Sequence, residues 1–162
     1  MKVQDAMMRT PASCSADTNL GAAIEILWNR NCGMLPVVDA NQKVVGVVTD
    51  RDLCVALGTR NRRAGEITVG EVVRKEVYSC QAEDDVRIAL DTMARRRVRR
   101  LPVLNKDGRL EGILSMDNVV LHADLGGQAR PGELSSADIV RALHQIYEPQ
   151  LPEVAHKRVA AA

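Results

Sequence analysis

Phenylalanine is absent from this chain of 162 residues, and Trp28, Tyr78 and Tyr147 are its only aromatics. The core must therefore be built from Val, Leu, Ile, Ala and Met. So few rings also leave no ladder for stacking bases, which argues against single-stranded nucleic acid as a partner. Neither acidic nor basic residues are in excess. The formal net charge is +1, so no global field draws in nucleic acid or an anionic membrane. No apolar stretch reaches the ~18 residues that a membrane span needs. The opening "MKVQDAMMRT" lacks the apolar centre of a signal peptide, so the cytoplasm is the expected location and no membrane partner is expected. The four cysteines, Cys14, Cys32, Cys54 and Cys80, form no CxxC pair, and no two histidines sit at zinc-ligand spacing. They read as small buried hydrophobes rather than as a metal site or a disulfide framework. No nucleophile–base pair and no paired carboxylates stand at usable spacing, so an enzyme is not expected.

What is present is a repeat. Shifted by 66 positions, the sequence overlays itself without a gap. "LPVVDANQKVVGVVTDRDL" (Leu35–Leu53) falls on "LPVLNKDGRLEGILSMDNV" (Leu101–Val119). Upstream, Val3, Ser13, Cys14, Ala16 and Ala23 fall on Val69, Ser79, Cys80, Ala82 and Ala89. Repeats at a fixed period signal a duplicated structural unit.

Each unit reads alike. Asp17 or Thr18 is placed to cap a helix whose stripe is Leu20, Ala23, Ile24, Leu27 and Trp28; Val86, Ala89, Leu90 and Met93 repeat it. Pro36 and Pro102 stop the helix and open a strand. Asn41 and Gln42, or Lys106 to Gly108, form a hairpin turn, and Val44–Val48 or Leu110–Leu114 return. A second helix begins near Asp50 and is expected to end at Gly58; its counterpart runs from about Asp117 to His122. The expected order is strand–helix–strand–strand–helix, twice. The expected fold is α+β, with tandem β-α-β-β-α repeats at 1–60 and 66–126 packed sheet to sheet about a pseudo-twofold axis. The linker "GTRNRRAGE" (Gly58–Glu66) is polar, as a connection should be. A C-terminal part, 132–162, holds one amphipathic helix, Leu134–Tyr147, capped by Ser135 or Ser136, and a proline-containing tail expected to fray. The helix is free to pack on the module or on a partner chain.

"GVVTDRDL" (Gly46–Leu53) is the densest polar knot at the end of an apolar run. Thr49 and Asp52 are spaced so that a hydroxyl and exposed backbone N–H groups at a helix start can meet a phosphate, while the carboxylate accepts from two ribose hydroxyls. The same Thr-x-x-acid spacing is close to a capping box that binds nothing. Both readings stand at this point.

These segments resemble the tandem CBS-domain pair, or Bateman module. The residues that carry the likeness are "MKVQDAMMR", "GMLPVVD" and "GVVTDRDL", with their echoes "VGEVV", "RRLPVL" and "GILSMDNV", across about residues 1–125. The resemblance implies a stand-alone regulatory module without catalysis of its own. It implies an adenine nucleotide as ligand, AMP or ATP foremost, with S-adenosylmethionine in some members. It also implies a homodimeric disc and an unidentified protein target. A ligand-free structural adaptor on the same fold is the alternative.

Residue by residue, the resemblance places Thr49 and Asp52 at phosphate and ribose, with Asp50 beside them. Arg99 and Arg100, which replace Gly33 and Met34 of the first unit, would face the phosphates of that site. Ser115 and Asn118 would share the other site with Met34. The adenine slot would be walled by Cys14, Ala16, Met34, Pro36 and Val37 and by Cys80, Ala82 and Pro102. Since Asn118 lacks the charge of Asp52, one competent and one degraded site are expected. Arg95–Arg97 are read as the basic end of a helix. Joined with Arg60, Arg62 and Arg63 they would make a basic patch, but nucleic acid is not the expected partner.

Overall fold

The computed structural model describes residues 1–123 and 134–149. A short helix α1 (Val3–Ala6) precedes the first repeat, which comprises α2 (Leu20–Asn29), β1 (Met34–Val38), β2 (Val44–Thr49) and α3 (Asp50–Arg60). The second comprises α4 (Val86–Arg96), β3 (Arg100–Leu104), β4 (Leu110–Ser115) and α5 (Met116–Leu121), and α6 (Ser136–Tyr147) follows. The α+β duplication expected from the sequence is the fold.

The caps and turns explain the boundaries. Neither Asp17 nor Thr18 caps α2; the Asn19 side chain does, accepting from Ala22 N at 2.9 Å. Asp85 caps α4 by accepting from Arg87 N at 2.8 Å. The α3 helix runs past Gly58 to Arg60, because Asn61 takes the left-handed φ of 48° that ends it. Both hairpins pair antiparallel in matching register, Met34 with Thr49 and Arg100 with Ser115. In each turn one side chain accepts two backbone N–H bonds: Asp39 from Asn41 and Lys43, Asn105 from Asp107 and Arg109. The left-handed positions fall on Gln42 and Gly108.

The strand expected at the head of each unit shrinks to one parallel bridge, Cys14 with Val37 and Cys80 with Val103. The reason is the polar turn that follows. Thr18 accepts from Ser15 N at 3.1 Å, and Asp84 accepts from Gln81 N at 2.7 Å, so the extended run is broken at once.

The segment leading into each repeat lies on the other repeat's sheet. Arg74 exchanges both backbone hydrogen bonds with Val47 of β2, at 3.0 Å each way. Met8 does the same with Ile113 of β4, at 2.9 and 3.0 Å. Val69 correspondingly joins the first core cluster and Val3 the second. At the hairpin tips Lys43 bridges Arg109, and Val44 N donates to Gly108 O at 3.0 Å. Residues 66 apart thus face each other, the mark of the pseudo-twofold axis.

Gly46 permits the crossing. A Cβ there would meet Val73 Cγ2 at 2.3 Å and Arg74 O at 2.9 Å. Gly46→Ala is expected to lower the unfolding free energy by roughly 1–3 kcal/mol, as overpacking against backbone does. Urea unfolding measures this against Gly58→Ala, where a Cβ meets nothing within 4 Å and alanine inside α3 is expected to stabilise by up to about 1 kcal/mol.

The C-terminal helix packs on the module itself. Ile139 and Ala142 of α6, with Leu134 before it, join the second core alongside Val86, Leu90 and Met93 of α4. The tail expected to fray, Glu148–Ala162, lies outside the described residues from position 150 onward.

Candidate functional site

Thr49 ends β2 and is the N-cap of α3. Its Oγ1 accepts from Asp52 N at 3.2 Å and donates to Asp52 Oδ2 at 2.6 Å, while Thr49 N donates to the same oxygen at 3.0 Å. The capping box is therefore formed, with Asp in the place where Glu or Gln is usual. The other carboxylate oxygen, Oδ1, accepts from Arg74 Nε at 2.8 Å and lies 2.6 Å from Arg74 Nη2. Asp52 is only 10% exposed, whereas Arg74 is 64% exposed.

Burial raises the Asp52 pKa, but the hydrogen bonds from Thr49 and Arg74 and the Arg74 charge outweigh it. The carboxyl is held below the usual range. Asp52 is consequently a carboxylate at neutral pH. Its contribution to stability is complete above the ordinary carboxyl pKa of about 3.9 and is lost as the pH falls through the lower folded value.

The second repeat copies this geometry without the charges. Ser115 Oγ donates to Asn118 Oδ1 at 2.6 Å and accepts from Asn118 N at 3.1 Å. The residue in Arg74's place on the opposing sheet is Met8, bridged to Ile113. Both members of the ion pair are thus replaced together by neutral residues.

The arginines before β3 do not join Asp52. Arg99 Nη1 donates to the Tyr147 hydroxyl of α6 at 3.1 Å. Arg100 lines a cavity of about 680 Å³ with Gly33, Asp50 and Asp117, and with Leu27, Trp28, Cys54 and Leu57 from α2 and α3. Asp50 and the Arg100 guanidinium each approach within 3.1 Å of where a Cβ on Gly33 would stand. Thr49 and Asp52 do not line that cavity. Of the residues grouped in one phosphate pocket, then, Thr49 and Asp52 are together, Asp50 and Arg100 meet elsewhere, and Arg99 belongs to the α6 contact.

The adenine-slot residues divide as well. Met34, Pro36, Val37, Cys14, Cys80 and Pro102 are buried in the sheets and cores. Ala16 is exposed and its carbonyl accepts from Gly70 N at 2.8 Å; the Ala82 carbonyl accepts from Gln4 N at 2.9 Å. Ala82 also lines a second cavity of about 530 Å³ with Gln4, Met7 and Arg9. All four cysteines are free thiols. Burial pushes Cys14 to about 11 and Cys80 to about 12, so both are inert neutral thiols. Cys54 and Cys32 differ from the expectation of burial: Cys54 is exposed on α3 and Cys32 is half-buried.

The arginines of the basic patch are held in separate local contacts. Arg60 and Arg62 both reach Glu71, at 3.1 and 2.8 Å, and Arg96 lies 4.8 Å over the Tyr78 ring. Among the described residues no group of His, Cys, Asp and Glu could hold a metal ion, and no helix is long and apolar enough to cross a membrane. Arg74 is the residue that sequence reasoning missed. The signal was there: it stands where the first unit has Met8, and it changes in step with Asp52 and Asn118.

The family model for the CBS domain matches residues 3–59 and 69–124. The chain belongs to the CBS domain family. It is 28% identical over 120 residues to the CBS domain-containing protein YhcV of Bacillus subtilis, covering 74% of this chain and 84% of that protein. It is also 28% identical over 118 residues to inosine-5'-monophosphate dehydrogenase of Nitrosopumilus maritimus, covering 73% of this chain but only 23% of the dehydrogenase. The chain thus spans about a quarter of the length of such relatives. Among solved structures, the CBS domain protein TA0289 of Thermoplasma acidophilum superposes with a TM-score of 0.73 at 22% identity, over 90% of this CBS chain and 75% of that one. CBSX2 in complex with AMP superposes with a TM-score of 0.65 at 29% identity, over 74% and 93% respectively.

Proposed function

We propose that this CBS pair is a ligand-binding regulatory module that takes an adenine nucleotide, AMP or ATP, at the start of α3. Asp52 accepts from the ribose hydroxyls, and Thr49 and the helix start meet the phosphate. The observation that carries the proposal is the ionised, nearly buried Asp52 carboxylate beside the Thr49 hydroxyl. The AMP complex of CBSX2, at 29% identity, supports the ligand class. Ligand across the two repeats favours one arrangement of the pair and so changes affinity for a protein target, without catalysis. The proposal includes a homodimer, for which Trp28, 84% exposed beside the larger cavity, offers apolar surface. The cytoplasm is the proposed location.

A specific observation favours a second reading. Both Asp52 oxygens are already satisfied, and neither cavity reaches Thr49 or Asp52, as a ligand-free adaptor would have it. Thermal unfolding separates the two. A ligand at 100 times its Kd adds about 2.7 kcal/mol, or roughly 5–10 °C for a chain of this size. AMP or ATP is expected to produce that shift. No shift with either at millimolar concentration leaves the adaptor.

A further inference from the structure

The ion pair between Arg74 and Asp52 joins the lead-in of the second repeat to the helix start of the first. Its backbone is fixed and its side chain is not. Two hydrogen bonds hold Arg74 to Val47, and Gly46 leaves no space for the segment to shift inward. The guanidinium reaches Asp52 Oδ1 with Nε and Nη2 from a side chain that is mostly in water. Thr49 occupies Oδ2 through its hydroxyl and its backbone N–H.

A ribose can therefore engage Asp52 only by taking over the oxygen that Arg74 holds. The outcome depends on what else the ligand carries. A neutral adenosyl compound sends Arg74 back to water and forfeits its charge-assisted bonds. A ligand with an anionic group next to the ribose gives the guanidinium a new acceptor within reach of its fixed backbone, so one charged contact replaces another. The second repeat, with Met8 and Asn118 at the matching places, holds no ion pair to exchange.

We infer that Arg74 sets the charge selectivity of the first-repeat site: released from Asp52 when a ribose docks, it admits adenosyl ligands that carry a phosphate and disfavours those that do not. This rests on the nucleotide reading above. It makes Arg74 a specificity residue that contacts the ligand's anionic group.

The test is isothermal titration of AMP and of adenosine into the full chain, the Arg74→Met variant and the Arg74→Lys variant. Methionine fits the place, since Met8 occupies its counterpart with the same backbone bridge. The wild-type chain is expected to prefer AMP by at least tenfold, about 1.4 kcal/mol. Arg74→Met is expected to reduce that preference at least threefold, leaving the part owed to Thr49 and the helix start, and Arg74→Lys to keep most of it. If both ligands bind and the ratio is the same in Arg74→Met as in wild type, Arg74 is a structural contact and the inference fails alone. If neither ligand binds any of the three proteins while all three melt cooperatively, the nucleotide reading fails and the inference with it.

Discussion

Asp52→Ala is expected to weaken AMP binding by about 100-fold, whereas Asn118→Ala changes it by less than threefold. The two side chains offer a ribose different acceptors. A hydrogen bond to a charged group contributes roughly 1.5–3 kcal/mol, and two ribose hydroxyls on one carboxylate make two of them; even partial loss reaches about 2.7 kcal/mol, or 100-fold. Asn118 is a neutral acceptor whose Oδ1 is already engaged by Ser115. The fold survives the Asp52 change. Arg74, at 64% exposure, returns to water rather than standing buried and unpaired, and the damaged cap of α3 costs about 1 kcal/mol. Calorimetric titration with AMP, alongside a melt of each variant, checks both parts. Equal affinity in the two variants would remove Asp52 from the site.

Ile139→Asp is expected to be the most destabilising single change considered, at roughly 3–5 kcal/mol, and to lower the melting temperature by roughly 10–15 °C. Ile139 is 5% exposed in the contact between α6 and the second core. Its substitution removes a buried aliphatic side chain worth about 1.5–3 kcal/mol and places a carboxylate among the aliphatic side chains of the second core. The chain's escape is to undock α6, which also breaks the bonds from Arg99 to Tyr147 and from Arg97 to the Glu148 carbonyl. Val140→Asp, one position along at 65% exposure, is expected to stay within about 0.5 kcal/mol of wild type. Urea unfolding of the pair separates packing from helix propensity, since both introduce the same residue into the same helix.

The duplication, the hairpins and the helices were legible because each rests on a local signal repeated at one spacing. The stripe Leu20, Ala23, Leu27 and the aliphatic runs around Pro36 and Pro102, which lie inside β1 and β3, specify their elements without reference to distant residues. The helix ends were less legible. Gly58 is a good stop signal, yet α3 continues to Asn61, because a polar residue that tolerates the left-handed region serves equally well. The site was half legible. Thr49 and Asp52 lie within one turn, so their spacing determines their contact. Arg99 and Arg100 are neighbours in sequence, but Arg99 lies in the bend before β3 and Arg100 opens the strand, and their side chains part: one goes to α6, the other to the Asp50 cavity. Arg74 was hidden because its contact with Asp52 spans 22 residues and depends on the lead-in crossing to the other sheet, which no local pattern encodes.

That crossing governs how the molecule can come apart. Met8 reaches Ile113 only after a loop on the order of a hundred residues has closed, an entropic cost that falls before the contact is gained and slows folding. Neither hairpin has its own outer edge until the other half has arrived, and an excised half would present a bare row of backbone donors and acceptors to any strand nearby. One half's pocket chemistry can therefore differ from the other's, as Asn118 differs from Asp52, but neither half can be discarded without stripping the edge from its twin.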